Sequence, residues 1–174
     1  MSNGTLPPPE QLGPCGPSGR RALPGVRGRA FRYDKAVPNS VSVAQGEIFE
    51  ITEVDGMLTC TVVNRPEVTP EQGARCAVDM HDAIDRELLR SPSKAQSLVF
   101  DVRRGPPAFG PKTRASLEKM FIKAEAQNRR LAILVGSSPT QMLQFGSLHR
   151  ECAPTWSRVF SEAEAATQWA KLGY

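Results

Sequence analysis

Residues 97–114 read Ser97-Leu-Val-Phe-Asp101-Val-Arg-Arg-Gly105-Pro-Pro-Ala-Phe-Gly110-Pro-Lys-Thr-Arg114. A nearly continuous apolar run, Leu98-Val99-Phe100, ends at Asp101-Val102, as expected of a strand covered on both faces. A Pro/Gly-rich turn follows, and a helix is predicted from about Pro111 to Asn128, with Leu117, Met120, Phe121 and Ala124 inward. The rest of the chain from about residue 45 reads as support for this strand–turn–helix unit.

Upstream, Ile48, Phe49, Ile51 and Val54 predict a strand. Asp55-Gly56 is a hairpin signal, and Leu58, Cys60 and Val62 alternate into a second strand. Thr69-Pro70-Glu71-Gln72 opens a helix with Thr69 as cap, Pro70 at its first position and Gln72 completing a capping box. Its apolar positions are Cys76, Ala77, Met80, Ala83, Ile84 and Leu88, and it stops near Arg90, before Ser91-Pro92. Glu71–Arg75 and Asp82–Arg86 form four-apart pairs on its wet side.

Downstream, Arg130–Gly136 is a fourth strand. Ser138-Pro139 caps a third helix, with Met142, Phe145, Leu148 and Cys152 inward. Ser157–Phe160 is a fifth strand. Ser161–Glu164 reads as a capping box for a last helix with Ala165, Trp169 and Leu172 inward. The order β-β-α-β-α-β-α-β-α predicts an α/β fold: a mixed, mainly parallel sheet that opens with a hairpin.

Composition bounds the rest. The chain has 174 residues and a net charge of +4, all of it in residues 1–35, where Arg20, Arg21, Arg27, Arg29, Arg32 and Lys35 oppose Glu10 and Asp34. Residues 1–28 hold six Pro and six Gly with almost no apolar periodicity, so residues 1–44 are expected to form a flexible arm and 45–174 the domain. Within the arm, Ala30–Tyr33 has the composition of a short edge strand. The arm is either an electrostatic tether to nucleic acid or another anionic surface, or a solvated linker. No apolar run is long enough to cross a bilayer and no secretory signal is evident, which predicts a cytoplasmic protein. Cys15, Cys60, Cys76 and Cys152 are scattered without a CxxC pair, as inert thiols would be.

Three stretches, Leu98–Ser116, Ser138–Leu148 and Val159–Trp169, together with the element order, resemble the STAS domain. That is the fold of bacterial anti-sigma-factor antagonists, and the likeness is strongest to divergent STAS/SEC14-type proteins. The resemblance spans roughly residues 46–172. It implies a non-catalytic regulatory module that docks a protein partner through the turn and helix start after the third strand, with Arg103, Arg104, Phe109, Lys112, Thr113 and Arg114 as contact residues. Phosphoswitch members of the family carry a serine at the helix start, whereas here Gly110-Pro111 stands there. The SEC14-like relatives imply an alternative, a small-molecule or lipid-binding domain.

Other chemistry is sparse. Arg104, Lys112, Ser137 and Ser138 fall near two helix starts on the edge where α/β sheets bind ligands, a candidate anion site, though Ser138 is also explained as a cap. Phe109 is either an exposed docking anchor or a ring tucked under the turn. His81 and His149 lack companions at metal-ligand spacing, and neither a catalytic triad nor a glycine-rich phosphate loop can be assembled. No cofactor, metal or enzymatic activity is expected.

Overall fold

A computed structural model describes residues 40–90, 93 and 95–172. Residues 1–39, which hold the basic residues of the arm and Ala30–Tyr33, lie outside the described residues. Among the described residues, six strands form one sheet in sequential order: β1 (Val41–Gln45), β2 (Phe49–Val54), β3 (Met57–Val63), β4 (Ser97–Arg104), β5 (Arg130–Leu134) and β6 (Ser157–Phe160). β1–β2 and β2–β3 are antiparallel, and the three remaining pairs are parallel. This is the mixed α/β architecture expected. The β2–β3 hairpin turns at Asp55-Gly56, where both residues take positive φ (51° and 75°), as a type I′ turn requires.

β1 places the start of the domain upstream of the expected boundary at residue 45. Val41–Gln45 pairs along β2 and carries an irregularity between Ser42 and Ala44. It is an edge strand, half-buried at best, so its residues lack the alternation of a core strand.

Helices α1 (Pro70–Ile84), α2 (Pro111–Ala126) and α3 (Pro139–Cys152) link β3 to β6. Parallel crossovers of one hand that keep stepping in one direction put their helices on one face. The main core lies there: Ile51, Leu58, Leu98, Phe100 and Ile133 from the sheet pack against Met80 and Ile84 of α1, Leu117 and Phe121 of α2, and Phe145 and Leu148 of α3. Among the described residues, the last helix, α4 (Ala163–Lys171), is the one that packs on the opposite face. It packs Ala166 and Ala170 on Met57, Val99, Ala132 and Leu134. β4 is therefore buried on both faces, as its apolar run requires.

Local expectations met mixed outcomes. The Thr69 capping box forms, with the Thr69 N–H donating to Gln72 Oε1 (2.8 Å) and the Gln72 N–H to Thr69 Oγ1 (3.3 Å). Ser138 caps α3 through its bond from the Gln141 N–H. α1 ends at Ile84 and passes into a π-helical turn, Asp85–Leu89, where Asp85 pairs with Lys123 of α2. Among the described residues, the four-apart pairs expected on α1 do not form, and Arg86 pairs with its neighbour Glu87 instead. α4 starts from Glu162 without a side-chain cap. Leu172 is exposed rather than inward, because α4 ends before the chain makes another turn over the sheet.

Candidate functional site

The turn between β4 and α2 stands at the carboxyl edge of the parallel strands. Its entrance is fixed by backbone: the Gly105 N–H donates to Val102 O (2.9 Å), and the Asn64 N–H to Arg104 O (2.6 Å). Its body is fixed by α3. Gln141, only 2 % exposed, accepts from the Gly136 N–H at Oε1 (2.9 Å) and donates from Nε2 to Val102 O (2.8 Å) and Pro106 O (3.2 Å). Ser138 Oγ donates to Pro107 O (3.2 Å). Gln144 bonds both backbone groups of Phe109. A segment with two prolines has few backbone donors of its own, so these side chains provide the bonding that a regular element would.

Phe109 is the tucked alternative, not the exposed anchor. Its ring is half-buried and meets Phe145 edge-on (centroids 5.1 Å apart), and Phe145 meets Phe100 (5.9 Å). Arg103, Arg104, Pro107, Ala108 and Lys112 face solvent, whereas Thr113 and Arg114 are half-buried.

The candidate anion site does not assemble as a cluster of free cations. Arg103 is held by Asp101, with Nε at 3.0 Å from Oδ1 and Nη2 at 2.7 Å from Oδ2. Burial raises the Asp101 pKa, but hydrogen bonds from the Arg103 side chain and backbone, with the charges of Arg103 and Arg104, outweigh it and hold the carboxyl below its ordinary value. Arg114 bonds Glu118 (2.7 Å) and Glu151 (2.8 Å). Ser138 is spent on its cap and on Pro107, and Ser137 is exposed beside it. Arg104 and Lys112 remain the exposed cations of the turn with no ion-pair partner among the described residues. α2 begins from Gly110 with no side-chain cap and Pro111 at its first turn.

Behind the turn lies a cavity of about 600 Å³. Its walls come from the β3–α1 connection, the first half of α1, the inner side of the turn and the start of α2. Phe100, Leu117 and Phe145 line it from the core side.

Sequence reasoning missed Gln141 and Gln144. It placed Met142 inward on α3, but Met142 is half exposed and the inward face runs Gln141, Phe145, Leu148. That series has helical i, i+4, i+7 spacing, so a buried glutamine was the available signal. The structure also brings together a serine and a histidine that the sequence did not pair: His149 Nδ1 lies 2.9 Å from Ser157 Oγ. Ser157 donates its only proton to Ala153 O (2.6 Å), so His149 must donate to Ser157. A general base would have to accept from the serine, so the pair is a part-buried structural contact. Among the described residues, no three His, Cys, Asp or Glu side chains gather into a set able to hold a metal, and no helix is long and apolar enough to cross a membrane.

No protein-family model matches the chain, and no curated protein sequence matches it. The NMR structure of the protein TM1081 is similar in fold, with a TM-score of 0.50 at 10% identity over 77% of this chain and 97% of that one. This likeness shows the fold alone.

Proposed function

We propose that the chain is a non-catalytic binding module of STAS-like type that docks an acidic partner protein through the β4–α2 turn and the start of α2. The carrying observation is the bracing of that turn. Gln141, Ser138 and Gln144 hold an exposed, proline-stiffened segment in one shape, while Arg104 and Lys112 are exposed on it with no ion-pair partner among the described residues. A surface ordered before binding loses less entropy when a partner arrives. Its charge selects an acidic face and favours fast, salt-sensitive association. The element order and the position of the helix start support the STAS-like reading, with Gly110-Pro111 where a phosphorylatable serine would stand. Docking on this chain therefore runs without a phosphoryl switch at that position.

The test is charge reversal. Arg104→Glu and Lys112→Glu together should leave circular dichroism and thermal stability near wild type, since both side chains are exposed. They should abolish low-salt capture of a stoichiometric partner from source-cell extract, and the partner's captured surface should be acidic. Undiminished capture by the folded double variant sinks the proposal.

A further inference from the structure

We infer that the cavity behind the β4–α2 turn is a binding site for a small, uncharged, apolar molecule. This goes beyond the docking role and does not rest on it. The space is a half-open cleft: Asn64, Arg65, Thr69, Glu71 and Lys112 at its rim are exposed, whereas Phe100, Leu117 and Phe145 at its floor are buried. At about 600 Å³ it is inside the roughly 300–1,000 Å³ range of clefts that take small ligands. It also lies at the carboxyl ends of the parallel pair β3 and β4, where α/β sheets bind ligands.

The chemistry of the walls sets the class of ligand. Val62, Val68, Met80, Phe100, Leu117 and Phe145 present hydrocarbon and rings. The buried polar side chain among the walls, Gln141, has its amide oxygen and nitrogen engaged by backbone, so it offers a ligand little. Cys76 is buried, and its thiol is pushed toward the neutral form chiefly by that burial. The charged lining residues, Arg65, Glu71 and Lys112, are all exposed, so they stand at the mouth and carry both signs. Asn64 and Thr69 are exposed at the rim and Thr113 is half-buried, so a charged group carried past them to Phe100, Leu117 and Phe145 would lose its hydration against hydrocarbon.

Gly73 supplies a clean way to close the site. It lines the cavity from α1, and a Cβ added there would meet no atom within 4 Å. The first carbon of a side chain at 73 therefore starts in open space on the cleft wall, leucine is the substitution expected to narrow the cleft, and it replaces a weak helix former with a strong one.

The probes are 1-N-phenylnaphthylamine, which is uncharged, and its anionic relative 1-anilinonaphthalene-8-sulfonate. The uncharged probe should bind wild type saturably at a single site with a blue-shifted emission, and should slow alkylation of Cys76 but not of Cys152. Gly73→Leu should stay folded and bind it at least about tenfold more weakly, while Gly73→Ala should bind it nearly as wild type does. Arg104→Glu should leave the binding unchanged, which separates this result from the fate of the docking reading. No saturable binding, no protection of Cys76, or undiminished binding to Gly73→Leu would each overturn the site. Tighter binding of the sulfonate at the Gly73-sensitive site would overturn the assigned ligand class.

Discussion

Gln144 brackets Phe109. Its Oε1 accepts from the Phe109 N–H at 3.1 Å and its Nε2 donates to Phe109 O at 3.1 Å, a two-bond splice between α3 and the β4–α2 turn across 35 residues of chain. The pair acts like a short ladder of sheet bonding, and it holds the ring against Phe145. Gln144→Leu removes both bonds and leaves two part-buried backbone groups to find water, at a cost of about 1–2 kcal/mol. Chemical denaturation measures that loss, and amide exchange at Phe109 should accelerate far more than at the β4 amides. Wild-type exchange at Phe109 in the variant would show that the turn does not depend on this splice.

A second prediction concerns the entry to the sheet. Gly46 follows β1, and its N–H donates to Phe49 O (2.8 Å). A Cβ at this position would overlap the ring of Phe49, itself 6 % exposed and part of the main core. The ring cannot swing outward without giving up its burial. Gly46→Ala should therefore destabilise the domain by about 1–3 kcal/mol, the usual cost of overpacking. An alanine variant with an unchanged denaturation midpoint would contradict this.

Gly73→Ala has the opposite sign. The residue lies inside α1, next to its capping box, and an added methyl meets open space. With no steric cost in the folded state, the gain is that of replacing glycine in a helix, about 0.5–1 kcal/mol. Thermal unfolding of the two glycine variants side by side tests both signs. A lower midpoint for Gly73→Ala would mean that the space beside α1 is not open.

The contrast between these glycines shows where sequence patterns carry information. Asp55-Gly56, the Thr69–Gln72 box and the run Leu98–Phe100 each announce a local requirement that only one structure satisfies, and each formed as read. Val41–Gln45 was illegible because an edge strand buries little, so selection on its side-chain pattern is weak. The exposed positions of Arg103, Arg104 and Lys112 could be read from their place in the turn. The tucking of Phe109 could not, because it depends on Gln144 and Phe145, which reach it only through the tertiary fold. Met142 and Gln141 are neighbours on α3, and choosing the more apolar one rotated the inferred face by a single residue. The cavity has no sequence signature at all, since it is a mismatch among segments whose own patterns are ordinary.

The Asp101–Arg103 contact gives the turn a pH dependence. The carboxyl is held below its ordinary value in the folded protein, despite the opposing effect of burial. Its contribution to stability is therefore fully present above the unfolded-state pKa of about 3.9 and is lost as pH falls through the lower folded value. Arg103→Met removes the partner while keeping the aliphatic stem. The Asp101 pKa should then rise, and the acid limb of the stability profile should move to higher pH. Carboxyl-carbon NMR titration reads the first effect directly. An Asp101 titration identical in both proteins would show that Arg103 is not what depresses it.

Thiol reactivity should rank the described cysteines by how far the fold must open to reach them. Burial raises the pKa of all three, so thiolate is scarce at neutral pH and access decides the order. Cys152 is half-buried at the end of α3, where Glu118 and Glu151 also disfavour its thiolate and Arg114 partly offsets them. Cys76 is 8 % exposed on the cavity wall, and Cys60 is fully buried in β3 against the helical layer. Peptide-mapped alkylation should therefore proceed Cys152 first, then Cys76, then Cys60. Cys60 should react only through global unfolding, so its rate should rise with denaturant along the full unfolding slope, while that of Cys152 stays nearly flat at low denaturant. Modification of Cys60 at a rate independent of denaturant would mean that β3 is reached by a local opening, and that the sheet beneath the turn is less secure than its packing implies.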